Sequence, residues 1–76
     1  MDVIDARGLR CPLPLLRARK ALAGMEVDAR IQIWATDLGA PADFKAYCAQ
    51  TGHALIGIEQ ENEIPMFLKI TLARGL

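Results

Sequence analysis

Along "RIQIWA" (30 to 35) apolar and polar residues alternate, with Ile31, Ile33 and Ala35 on one phase and Arg30, Gln32 and Trp34 on the other. A period of two marks a strand with one face buried. "DVIDA" (2 to 6) reads as an earlier, shorter strand, and Gly8 marks a break soon after it. Between these strands the period changes. From Pro12 to about Ala23, Leu15, Ala18 and Leu22 recur at helical spacing, Leu16 and Ala23 widen the stripe, and Arg17, Arg19 and Lys20 stay in water. Gly24 supplies the stop. The segment "PADFKAYCAQ" (41 to 50) opens on a proline suited to a first helical turn, brings Phe44, Tyr47 and Cys48 to one side, and ends at Gly52. "ALIGIEQ" and "IPMFLKITL" flank the turn "ENE" and read as a closing hairpin. Pro65 cannot donate to a sheet ladder, so it belongs at a strand start or a bulge.

The element order is therefore β-α-β-α-β-β. Right-handed crossovers put both helices on one face of the sheet, an α/β fold in two layers. Each helix follows a strand running the same way, so both helix N-termini emerge above the carboxyl ends of the first two strands. Open α/β sheets keep their sites at that edge. Cys11 and the loop from Asp37 to Ala40 should share it.

Composition narrows the picture. A chain of 76 residues makes one domain, 1 to 76, and 53% apolar residues suffice for a core without disulfide or metal staples. Nine Lys and Arg balance nine Asp and Glu, which argues against a general polyanion binder. Locally the balance fails: Arg7, Arg10, Arg17, Arg19 and Lys20 crowd one end, while Glu59, Glu61 and Glu63 lie near the other. The acidic start "MDVIDARG" lacks the features of a secretory signal, and no apolar run is long enough to span a bilayer, so the expected location is the cytoplasm. Cys11 and Cys48 are too few and too far apart for a disulfide scaffold or a metal knuckle, and reduced thiols suit that compartment.

The chemistry concentrates at "RCPLP" (10 to 14). If Pro12 is the first helical residue, Cys11 is the N-cap and its sulfur faces the positive end of the helix dipole. Prolines at the first and third positions, Pro12 and Pro14, sacrifice no helical hydrogen bond. The free N–H of Leu13 and the guanidinium of Arg10 should favour a thiolate further. The second thiol, Cys48, falls mid-helix and reads as packed. His53, the only histidine, reads as a surface or capping residue, so Cys11 has no evident base. Asp37 reads as a loop or helix-capping acid, or, in a functional role, as an acid that shapes the rim near Cys11 or meets a basic partner. Arg7, Arg17 and Lys20 are the candidate partner-docking cations. Trp34 and Phe67 fall on the strand phase opposite the helices, as edge packing or an exposed apolar patch.

The run Arg7-Gly8-Leu9-Arg10-Cys11-Pro12-Leu13-Pro14 resembles the Cys-Pro-x-Pro signature of the TusA/SirA/YeeD sulfur-carrier family. Ala35-Thr36-Asp37, Asp43-Phe44 and Thr51-Gly52-His53 extend that resemblance over essentially the whole chain, although Leu38 stands where relatives often have proline. The resemblance implies a two-layer sandwich with a four-stranded mixed sheet. It also implies a sulfurtransferase role without a cofactor, in which Cys11 holds sulfane sulfur as a persulfide. The donor would be a cysteine desulfurase, a rhodanese or a thiosulfate-linked protein, and the acceptor a thiol of another protein. Relatives serve tRNA thiolation, sulfur oxidation, or uptake beside membrane thiosulfate transporters. A monomer without direct nucleic-acid contact is expected. Two other readings stay open: a nucleic-acid-binding or regulatory module, and a thiol redox switch between Cys11 and Cys48.

Overall fold

The computed structural model describes residues 1–76. Its elements are β1 (Asp2–Asp5), α1 (Leu13–Ala23), β2 (Arg30–Ala35), α2 (Ala40–Thr51), β3 (Ala54–Glu61) and β4 (Phe67–Ala73), in the expected order. The four strands form one mixed sheet ordered β1-β2-β4-β3. β1 runs parallel to β2, whereas β4 pairs antiparallel with both β2 and β3. The last strand therefore takes a central place, with its hairpin partner at an edge.

The alternation in β2 decides which face is dry. Ile31, Ile33 and Ala35 stand opposite Leu72, Ile70 and Leu68 of β4, and all six are buried. Onto this phase α1 packs Ala18 and Leu22, and α2 packs Phe44 and Cys48, forming one hydrophobic cluster. Both helices thus cover the same face. Phe44 is completely buried between the layers. Burying an aromatic of that size stabilises by a few kcal/mol, so it anchors the first turns of α2 to the sheet.

The hairpin differs in detail from the sequence expectation. β4 begins at Phe67, and Ile64, Pro65 and Met66 lie ahead of it, so the proline occupies a place where no ladder donor is needed. The ladder is instead interrupted in β3, where the register shifts between Leu55 and Gly57.

On the face opposite the helices, Trp34 and Phe67 meet with ring centroids 5.2 Å apart. They do not form an open apolar patch. Phe67 is only 3% exposed, because the Arg7 guanidinium lies 4.9 Å from its ring and 5.0 Å from that of Trp34. The Lys69 ammonium covers the same pair from 5.5 and 6.0 Å. Cations over aromatic faces of this kind attract through the ring quadrupole.

Two ties close the molecule. Arg74 donates through Nη1 to the carbonyls of Leu22 and Met25, adding a side-chain partner where α1 ends and the chain turns toward β2. His53 accepts the Gly75 N–H on Nδ1 at 2.9 Å, with its ring against Tyr47. α2 ends at Gly52 with φ of 83°, a left-handed cap that glycine adopts without strain.

Candidate functional site

Because β1 and β2 run parallel, the segments leaving their carboxyl ends lie side by side. The segment after β1 carries Arg7 to Pro12, and the segment after β2 carries Thr36 to Gly39. Side chains of the second join the first: Gly8 donates its N–H to Thr36 Oγ1 at 2.9 Å, and Cys11 donates its N–H to Asp37 Oδ2 at 2.6 Å. The other Asp37 oxygen accepts the Gly39 N–H at 2.8 Å, just ahead of α2. Asp37 therefore fastens the cysteine loop to the start of the second helix. It stands on the rim beside Cys11, where the order of elements puts it.

The cysteine itself sits differently. α1 begins at Leu13, with Pro12 as N-cap and Pro14 at the second helical position. Cys11 thus lies one residue outside the cap, and the Cys11–Pro12 peptide is cis. The Leu13 N–H is not free, since it donates to the Arg10 carbonyl at 2.8 Å. Pro14 is fully buried, so it contributes packing as well as stiffness. Arg10 is exposed, and its guanidinium makes no hydrogen bond or ion pair.

What meets the thiol is an acid. Cys11 Sγ donates to Asp43 Oδ2, from the first turn of α2. A carboxylate only accepts, so this bond needs the proton on sulfur. A backbone donor and a neighbouring cation were the expected company, yet the Leu13 N–H is spent on the Arg10 carbonyl and the exposed Arg10 guanidinium makes no hydrogen bond or ion pair. Sequence reasoning assigned Asp43 no role. The usable signal was an acid in the first turn of a helix whose N-terminus emerges beside Cys11.

Cys11 is exposed and Cys48 is buried. Desolvation pushes the Cys48 thiol above its ordinary pKa of 9.0, which suits an inert packed group. No three His, Cys, Asp or Glu side chains come together as a metal-ligand set.

The three docking candidates separate. Arg17 and Lys20 line, with Ile4 and Ala21, an open groove of about 450 Å³ between α1 and the edge strand β1. Arg7 is on the other face of the sheet, over Trp34 and Phe67. It is held there by Asp5, with Nε and Nη2 at 2.9 and 2.8 Å from the two carboxylate oxygens. Arg7 holds the Asp5 carboxyl down to about 2. No surface on one side of the molecule presents all three cations. Leu13 and Leu16, both nearly half exposed, precede Arg17 and Lys20 on the same flank of α1 at helical spacing.

Comparison with known proteins agrees with this geometry. The family model described as sulfurtransferase TusA matches residues 2–70. A putative sulfur carrier protein of Neisseria meningitidis is 48% identical over 63 residues, covering 83% of this chain and 85% of the relative. The sulfur carrier protein TusA of Allochromatium vinosum is 45% identical over 58 residues, covering 76% of each. A crystal structure of a SirA-like protein from Desulfitobacterium hafniense superposes with a TM-score of 0.78 over the full length of both chains, at 25% identity.

Proposed function

Because the chain belongs to the TusA sulfurtransferase family, we propose that Cys11 carries sulfane sulfur as a persulfide and relays it between two other proteins. The observation that carries this reading is the thiol's setting: exposed, on a corner braced by two hydrogen bonds between the loops and a third to the first turn of α2, while the one histidine is engaged with Gly75 and Tyr47. A carrier needs a fixed, reachable sulfur and little else, since the reacting partner brings its own groups. Cys11 Sγ attacks the outer sulfur of a donor persulfide and a new S–S bond forms. The donor's own S–S bond breaks, and its cysteine leaves as a thiolate that takes the proton Cys11 gives up. The second transfer repeats this at an acceptor thiol, and no external oxidant or reductant is consumed.

The donor would be a cysteine desulfurase, a rhodanese or a thiosulfate-linked protein, and the acceptor a protein thiol serving tRNA thiolation, sulfur oxidation or thiosulfate use in the cytoplasm. A membrane thiosulfate transporter is one further partner of this kind. No helix is long and apolar enough to cross a membrane, so such a meeting would take place at the transporter's face. The α1 flank with Leu13, Leu16, Arg17 and Lys20 supports docking, because it joins apolar surface to positive charge beside the thiol.

Incubation with a persulfide donor and subsequent intact mass measurement tests the reading. The wild type should gain one sulfur, Cys48→Ala should retain the gain, and Cys11→Ala should lose it completely. A gain that survives in Cys11→Ala and vanishes in Cys48→Ala overturns the assignment.

A further inference from the structure

We infer that Asp43 is a positioning residue that holds Cys11 as the neutral, slowly reacting thiol while the protein is free of its partners. The inference deepens the carrier reading and rests on it for its biological meaning. Three observations on the corner carry it. The Sγ–Oδ2 hydrogen bond exists only with the proton on sulfur, and losing that proton sets a thiolate against a carboxylate in direct contact. Of the groups that would offset this repulsion, both backbone donors are engaged, the Cys11 N–H with Asp37 and the Leu13 N–H with the Arg10 carbonyl, which leaves the exposed, unpaired Arg10 guanidinium as the one neighbouring cation. Finally, Asp43 is not on a mobile loop. It stands in the first turn of α2, its N–H bonds the Gly39 carbonyl at 3.3 Å, and the next residue, Phe44, is fully buried.

The helix start beside the thiol exerts the opposite pull, since its positive end favours an anion. Contact distance decides between them. The dipole is equivalent to about half a charge, and Cys11 lies outside the cap, whereas the carboxylate is a full charge touching the sulfur. The free protein is therefore guarded against adventitious alkylation and oxidation. Loading changes the balance. A persulfide is more acidic than its parent thiol, and its outer sulfur reaches one bond beyond Sγ, so an anionic outer sulfur is repelled by Asp43 toward solvent and partner. A cationic side chain of a donor protein that pairs with Asp43 would release the thiolate inside the complex.

The test uses the whole protein and iodoacetamide from about pH 6 to about pH 10, a range that brackets ordinary thiol titration. Peptide mass spectrometry counts alkylation of Cys11 separately from that of Cys48. Asp43→Asn should move the midpoint of the Cys11 rate profile down by about one pH unit, raising the rate near pH 7 about tenfold. Asp43→Glu should stay slow. An unchanged or slower Cys11 in a natively folded Asp43→Asn overturns the inference and marks Asp43 as structural or as a base. Should that variant fail to fold, the wild-type profile decides: a midpoint above 9.0, the ordinary thiol value, supports the hold, and one below it overturns it. Alkylation does not depend on sulfur loading. A protein that fails to load sulfur yet shows the Asp43 effect sinks the carrier reading alone, and the reverse result sinks this inference alone.

Discussion

Cys11 and Cys48 are the same side chain in two regions built on opposite terms. Cys48 stands in the third turn of α2 and belongs to one buried hydrophobic cluster with Phe44, Ala18 and the aliphatic phase of the sheet, where the thiol serves as volume. Cys11 stands on the exposed corner, where its neighbours are polar, come from distant segments and touch it by hydrogen bonds. The core beneath α2 is held by area, and the corner is held by a few directed contacts. A lost methylene should hurt the first, and a lost oxygen the second.

The strongest test of that contrast lies in the core. Phe44→Ala should cost about 3 to 5 kcal/mol in denaturant unfolding, the range for truncating a buried aromatic, while whatever fraction stays folded at low temperature still loads sulfur at Cys11 from a donor. A fall in stability below about 1 kcal/mol would mean that the corner, not the core, holds α2 in place.

On the corner, Asp37→Ala removes the acceptor of two backbone donors, those of Cys11 and Gly39. The expected loss is about 1 to 2 kcal/mol. Amide exchange should quicken at Cys11 and Gly39 but not at Ile33 or Ile70, the buried strand centre. Uniform quickening would erase the distinction between the two regions.

The smallest effect is a pH dependence at Cys48. Burial raises the folded-state value above the unfolded 9.0. Between those two values the native state binds more protons than the unfolded one, so stability falls as pH rises. The contribution is complete below pH 9.0 and is lost as pH climbs through the folded value. Thermal unfolding measured from neutral to alkaline pH should show this decline, and Cys48→Ala should flatten it. A decline of equal slope in Cys48→Ala would place its origin at other groups.

Much of the fold is legible because it is local. The period in "RIQIWA" named the buried phase of β2, and the stripes in the two helical segments named Ala18, Leu22, Phe44 and Cys48 as its cover, although Leu16 and Ala23, read as widening the first stripe, are exposed. The parallel pairing of β1 and β2 then puts Cys11 and Asp37 on one rim. The features that stayed hidden depend on position in space rather than on spacing in the chain. Nothing in the pattern separates Arg7 from Arg17 and Lys20, because the two sides of the sheet are distinguished only once the strand phase beyond Asp5 is known. The N-cap fell on Pro12 instead of Cys11, a one-residue difference of the kind that periodicity does not resolve. Asp43 escaped because a lone acid at a helix start satisfies the dipole without any further partner.

Arg74 gives the molecule an order of assembly. Helix α1 is tied at its first end to residues 26 and 32 positions away, and at its last end to a guanidinium 52 positions from the carbonyl it holds. Contacts of such separation repay their loop-closure entropy only after the intervening chain has collapsed. The α1 segment can turn helical early, but its seat is settled late. A fragment ending before Arg74 would carry the cysteine motif intact, with only the packing of Leu22 and no directed bond at the far end to set the helix's height on the sheet. The sulfur's address within the molecule is written by residues far from it in the chain, and the thiol becomes a site only when nearly all of the chain is there to make it one.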